Sequence, residues 1–164
     1  MGRILLSLAF FLAYSVSVAQ DIIPLDESDV DIKVLTWHYN RYENAPPGEW
    51  EVVAKDGEGY FRIKFKFQGD ELTSIYDDQG FILGESKYYD LEKVPQPVID
   101  LLDYRIVKYK IDSFYQETSF ETRNPTKINY RVEARTKTGG VIIYWFDEDF
   151  NILPERKDEL AFIR

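Results

Sequence analysis

Few residue types in this chain could carry chemistry: it has one histidine, no cysteine and one methionine. His38 could act as a general base or a metal ligand. With no second His and no Cys it cannot complete a usual transition-metal site, and no Ser–His–Asp spacing accompanies it. We expect it on a helix face in a structural role. Asp147, Asp149 and Asn151 space oxygens at positions one, three and five, as calcium loops do. The Gly required at position six is Ile152, and Pro154 falls where such a loop should continue. A similar stretch, Asp77-Asp78-Gln79-Gly80, lacks the spacing altogether, so an Asp-initiated turn explains both. No catalytic residue, metal site or cofactor is expected, and a hydrolase ranks last among the readings. Asn124-Pro125-Thr126 fails as a glycosylation acceptor because its middle residue is Pro. Lys157-Asp158-Glu159-Leu160 is internal, so it is not a retrieval signal.

The surplus is aromatic. Tyr, Phe and Trp make up 16% of the chain, more than one core of this size needs. In Val141 to Phe146 both faces of a strand are apolar. A central strand covered on both sides would explain that. So would an exposed patch of Trp145, Ile143, Tyr109 and Tyr115 on a helix-free sheet face, ringed by Arg131, Arg135, Arg62 and Lys64. Tyr, Trp and Arg anchor protein interfaces, so the second arrangement makes this face a surface for a partner protein or peptide. In the first, the aromatics pack beneath a long strand from Arg105 to Thr122.

The elements that position these residues follow from periodicity. Phe61, Ile63, Phe65 and Phe67 alternate with Arg62, Lys64 and Lys66, the pattern of a strand with one dry face. Gln68-Gly69-Asp70 supplies the turn of a hairpin ending near Tyr76. Ser28 and Asp31 form a capping box for a helix to about Tyr42, although Val34 to Tyr39 is also rich in strand formers. Asn44 to Gly48 ends that element, and Trp50 to Ala54 is a short strand. Phe81 to Tyr89 is another, and Val94-Pro95-Gln96-Pro97 opens a second helix to about Asp103. Asn124-Pro125 marks a turn, and Asn129 to Thr136 with Val141 to Phe146 forms a second hairpin. The two hairpin regions align at an offset of 70 from Gly69/Gly139 to Leu83/Leu153. Upstream, an offset of 69 keeps apolar residues on one face, so the turn Lys137 to Gly140 should be one residue longer.

Met1 to Ala19 has a basic start at Arg3, an apolar run from Ile4 to Ala13 and a Ser17-Val18-Ala19 cleavage signal. That is a secretory signal peptide, too short to span a bilayer. We expect residues 20–29 to be a loose lead and 30–154 a single domain of two units, 30–89 and 94–154. Residues 155–164 read as a charged tail. With no cysteine the domain must rest on burial alone. The formal charge of −9 opposes binding to nucleic acid or an anionic membrane, and a bacterial periplasm or cell exterior fits best.

Tyr42, Trp50, the hairpin, YDDQGFIL, the VPxxV helix start and the ending FDEDFNIL together resemble the PepSY-like family, also described as β-lactamase-inhibitor-protein-like. The resemblance covers about Val30 to Leu153. It implies an α+β fold in which tandem α-β-β-β repeats form one antiparallel sheet with helices packed on one face. It implies no established enzymatic activity, and the roles suggested for the family are binding or inhibition of other proteins. The chain departs from the pattern in helix one, where a Pro start is missing and His38 takes a usual aromatic position. Two functions are therefore carried forward: a periplasmic or secreted binding module, and an envelope structural or stress protein that buffers unfolded chains.

Overall fold

The computed structural model describes residues 22–154, apart from 56, 122 and 123. The expected signal peptide and C-terminal tail lie outside the described residues. Eight strands pair in sequence order into one antiparallel sheet: β1 (Ile22–Leu25), β2 (Glu49–Lys55), β3 (Glu58–Phe67), β4 (Asp70–Tyr76), β5 (Ile82–Tyr88), β6 (Tyr109–Glu121), β7 (Asn124–Thr136) and β8 (Val141–Phe146). Helix α1 (Ile32–Arg41) separates β1 from β2, and α2 (Gln96–Arg105) separates β5 from β6. The fold is α+β.

Local chemistry sets both helices. Asp31 caps α1 by accepting the Lys33 N–H at 2.8 Å. The expected capping box from Ser28 does not form, because Glu27–Asp29 is a separate 3-10 turn. Val34 and His38, one turn apart, point into the sheet. Pro95 and Pro97 open α2, which buries Val98 and Leu102.

Strand register places both helices over the same face. Trp50 pairs with Ile63, and Phe65 with Leu72. These residues pack against Val30, Val34 and Tyr42 to form one core cluster. Under α2, Phe114, Val132, Ala134 and Phe146 form the other. Burying each such aliphatic side chain contributes roughly 1.5–3 kcal/mol. The opposite face carries no helix among the described residues. A small apolar cluster there joins Val53 and Ile75, with Tyr60 and Leu83 packed against them.

The structure corrects three expectations. Residues 22–25 of the expected loose lead form an edge strand, whose register runs from Ile22 opposite Val53 to Leu25 opposite Trp50. Asn124-Pro125 is not a free turn but the start of β7, with Pro125 opposite Phe120 just past an irregularity in β6. In β6 a bulge at Asp112 lets Ile111 face Ala134 while Ser113 faces Glu133. That extra residue inverts the alternation, so Tyr109 and Tyr115 fall on opposite faces.

The turns after β4 and β8 are built alike. Asp77 Oδ1 accepts the N–H groups of Gln79 and Phe81, and Asp147 Oδ1 those of Asp149 and Asn151. Tyr76 then pairs with Ile82, and Phe146 with Ile152. The fourth residue has positive φ in each: Gly80 at 82° and Phe150 at 61°. The hairpin turns differ in length. Gln68 and Gly69 alone join β3 to β4, whereas Lys137 to Gly139 fill the loop closed between Thr136 and Gly140.

Gly80 is irreplaceable for a second reason: a Cβ there would sit 2.5 Å from Trp37 Cδ1 and 2.9 Å from the Lys33 carbonyl. Gly69, also at positive φ, has open space around it. Gly80→Ala should therefore destabilise by about 3 kcal/mol and Gly69→Ala by about 1 kcal/mol, read as urea midpoints. Equal losses would show that only the dihedral angle matters at Gly80.

Candidate functional site

The helix-free face is organised in cross-strand rows. One row runs Glu49, Lys64, Thr73, Ser86, Glu117, Asn129, and the next runs Lys66, Glu71, Tyr88, Tyr115, Arg131, Trp145. A groove of about 820 Å³ lies over these two rows, with Pro46, Pro47 and Gly48 at one side. The loop before β2 approaches closely because Gly48 has no side chain: a Cβ there would meet the Lys64 carbonyl at 2.6 Å. The groove has both a polar and an aromatic wall. Tyr88 and Tyr115 meet edge to face at 5.4 Å, and the Arg131 guanidinium lies 4.5 Å from the Tyr115 ring centre.

Paired charges support that floor. Arg131 Nε donates to Glu117 at 2.8 Å with both side chains almost fully buried, and Arg131 also bonds Glu133. Glu133 in turn accepts from Ser113 Oγ at 2.9 Å. In the other half, Arg62 is held by Glu51 at 2.5 Å, and Lys64 reaches the same carboxylate at 3.5 Å. Each buried guanidinium meets a carboxylate from an adjacent strand, Glu51 in register with Arg62 and Glu117 on the diagonal from Arg131, so desolvation is offset by the ion pair.

The expected site residues divide accordingly. Lys64, Tyr115 and Arg131 line the groove. Trp145 lies beside Arg131 at its end and is only 8% exposed. Ile143 opposes Glu133, and the largely exposed Arg135 bonds Asp112 at 2.8 Å, both on this face but outside the groove. Arg62 and Arg131 were expected as an exposed cationic ring. They are instead buried, because Glu51 stands directly across from Arg62, and Glu117 reaches Arg131 diagonally from the neighbouring cross-strand row. Tyr109 leaves the set: it packs with the α2 core and donates to Asp103 at 2.8 Å, on the helix face. Burial, with that bond to Asp103, pushes its phenol up to about 12. Tyr88, Thr73 and Ser86 line the groove but are absent from the expected set. The alternation of β4 and β5 already put them on the Lys64 face, and the missing piece was the register that sets Tyr88 against Tyr115.

The two other candidates resolve into structure. His38 is fully buried, Nδ1 lies 3.0 Å from the Tyr76 hydroxyl, and the rings of Tyr42, Trp50 and Phe65 surround it. Beside it Tyr42 donates to Glu85, which Arg41 also approaches at 3.8 Å. Burial and the Glu85 charge raise the Tyr42 pKa. Asp147 is held below its usual carboxylate range first by the Asn151 side chain, which caps the turn. No group of three or more metal-ligating side chains occurs among the described residues.

No family model and no curated protein matches this chain. Solved structures do match it in fold. A DUF2874 family protein from Bacteroides uniformis superposes with a TM-score of 0.63 at 13% identity, over 80% of this chain and 92% of that one. A protein from Bacteroides eggerthii, provisionally called periplasmic, gives 0.63 at 12% identity, over 77% and 88%. A BLIP-like protein from Bacteroides fragilis gives 0.60 at 14% identity, over 77% and 84%. The chain has a BLIP-like fold.

Burial lowers the His38 pKa from 6.5 to about 4. The folded protein thus holds a neutral imidazole while the unfolded chain takes up a proton below 6.5. Stability should fall as pH drops from about 6.5 to about 4, by on the order of 3 kcal/mol from this residue. His38→Phe should show a shallower loss over that window in urea titrations at stepped pH. Identical slopes for the two proteins would rule out a buried neutral imidazole.

Proposed function

We propose that the chain is a non-enzymatic periplasmic or secreted binding module that engages a protein or peptide through the helix-free face of its sheet. The observation that carries this reading is the groove in which Tyr88, Tyr115 and Arg131 meet across three neighbouring strands. Half-buried tyrosines fixed in place offer large contact area at little entropic cost, and Lys64, Thr73 and Glu71 beside them supply polar groups for orientation. The BLIP-like fold and the provisional periplasmic description of one neighbour fit the expected signal peptide. No helix among the described residues is long and apolar enough to cross a membrane. The PepSY-like resemblance and a duplication behind the two matching turns belong to the same reading, with α1–β5 and α2–β8 as its halves.

Buffering of unfolded chains would call for a broad apolar face. The Arg62–Glu51 and Arg131–Glu117 pairs interrupt any such surface here, which favours selective recognition.

Affinity capture from envelope extract should yield one stoichiometric partner. Tyr88→Ala with Tyr115→Ala should weaken its retention at least tenfold, since two aromatic anchors are removed. The circular dichroism spectrum should be unchanged. Retention equal to that of the parent would remove the groove from the account, and weak capture of many unfolded clients would favour buffering.

A further inference from the structure

The two edges of the sheet are protected unequally. β1 is four residues long, and Pro24 within it offers no N–H. β8 is VIIYWF, without a charge, Pro or Gly, and among the described strands only β7 pairs with it along its length. Two hydrogen bonds fix which backbone groups of β8 face outward. Thr136 N–H donates to the Gly140 carbonyl, so Ile142 and Tyr144 bond toward β7. Leu153 N–H reaches the Trp145 carbonyl from the other side. Val141 and Ile143 therefore present N–H and C=O groups at the open edge, with no partner strand among the described residues. Val141 is 54% exposed. Beside them, Ile142 and Tyr144 border a groove of about 830 Å³ whose other walls include Arg105, Ile152 and Pro154.

Charge along this edge is polarised. Lys108, Lys110, Arg135 and Lys137 gather where β8 begins, with Asp112 bound to Arg135. Asp147, Glu148 and Asp149 form the turn where β8 stops. We propose that β8 pairs antiparallel with β8 of a second copy of this chain, about a two-fold axis at Ile142. The two sheets then continue into one. Val141 stands opposite Ile143 of the second copy, and the reverse, which satisfies all four outward N–H groups and their carbonyls. The basic end of each edge lies beside the acidic turn of the other. Parallel pairing would set like charges together. Gly139 and Gly140, lacking side chains, pass the Ile152–Leu153 segment of the second copy. At a net charge of −9 copies repel at long range, so a local match of this kind decides whether they meet.

Sedimentation equilibrium of the chain after Ala19 tests this. The expected result is a monomer–dimer equilibrium weakened by salt. Lys137→Glu and Glu148→Lys should each raise the dissociation constant about tenfold, and the double exchange should restore it to within about threefold. Val141→Lys should leave the protein folded and monomeric, whereas Tyr115→Ala should leave the dimer intact, which separates this inference from the groove reading. A monomer at every concentration overturns the proposal. So does a double exchange that fails to restore association. Association seen only after removal of residues 155–164 overturns it too, by making that segment the occupant of the edge.

Discussion

A guanidinium taken out of water must be met by a carboxylate, and two such meetings hold the face of this sheet that carries no helix. Arg62 with Glu51 and Arg131 with Glu117 are cross-strand partners, one pair in each half. Each ties neighbouring strands together on a side whose apolar cluster, around Val53 and Ile75, is small. Removing one member of such a pair leaves an uncompensated charge, which typically costs 3–5 kcal/mol. The pairs thus fix strand register as much as they add stability, because a slip of one residue would send each guanidinium into the helix-side core. On the other face α1 and α2 cover two apolar clusters, with Val34 and Val98 fully buried beneath them.

This division of labour between faces explains the location of the groove. Where Arg131 is pinned by Glu117 and Glu133, the ring of Tyr115 lies over its guanidinium and Tyr88 leans on that ring from the next strand. A chain of fixed contacts therefore runs from a buried ion pair to two half-buried aromatic side chains. Such pre-organisation lowers the entropy lost on binding. The cluster around His38, by contrast, is enclosed beneath α1, where His38 Nδ1 meets the Tyr76 hydroxyl and Tyr42 meets Ser74.

Much of this was legible in the chain. The alternation of Phe61 to Phe67, the Gly69 turn and the paired Asp turns determine the hairpins, because a period of two has only one way to hide its apolar side. The helix starts were readable from Asp31 and from Pro95 and Pro97, though the cap came from Asp31 itself rather than Ser28. Three features were not legible. The bulge at Asp112 adds a residue without any change in composition, and it alone carried Tyr109 to the wrong face of the expectation. Ile22–Leu25 is short and contains a Pro, so only its pairing with β2 reveals it as a strand. The meeting of Tyr88 with Tyr115 depends on how β5 and β6 register across the intervening helix. Alternation names the face of a residue, whereas long-range register names its neighbours.

The central claim is that recognition happens over Tyr115 and its supporting arginine. The most direct measurement is an NMR titration with the captured partner, following the Nε–H resonance of Arg131 and the ring signals of Tyr88 and Tyr115. Methyl signals of Val34, Val98 and Leu102 under the helices serve as the comparison. The account predicts saturable shifts in the arginine and tyrosine signals at one-to-one stoichiometry while the methyl signals hold still. Shifts confined to the methyl groups would contradict it, by placing the partner on the helix side of the sheet.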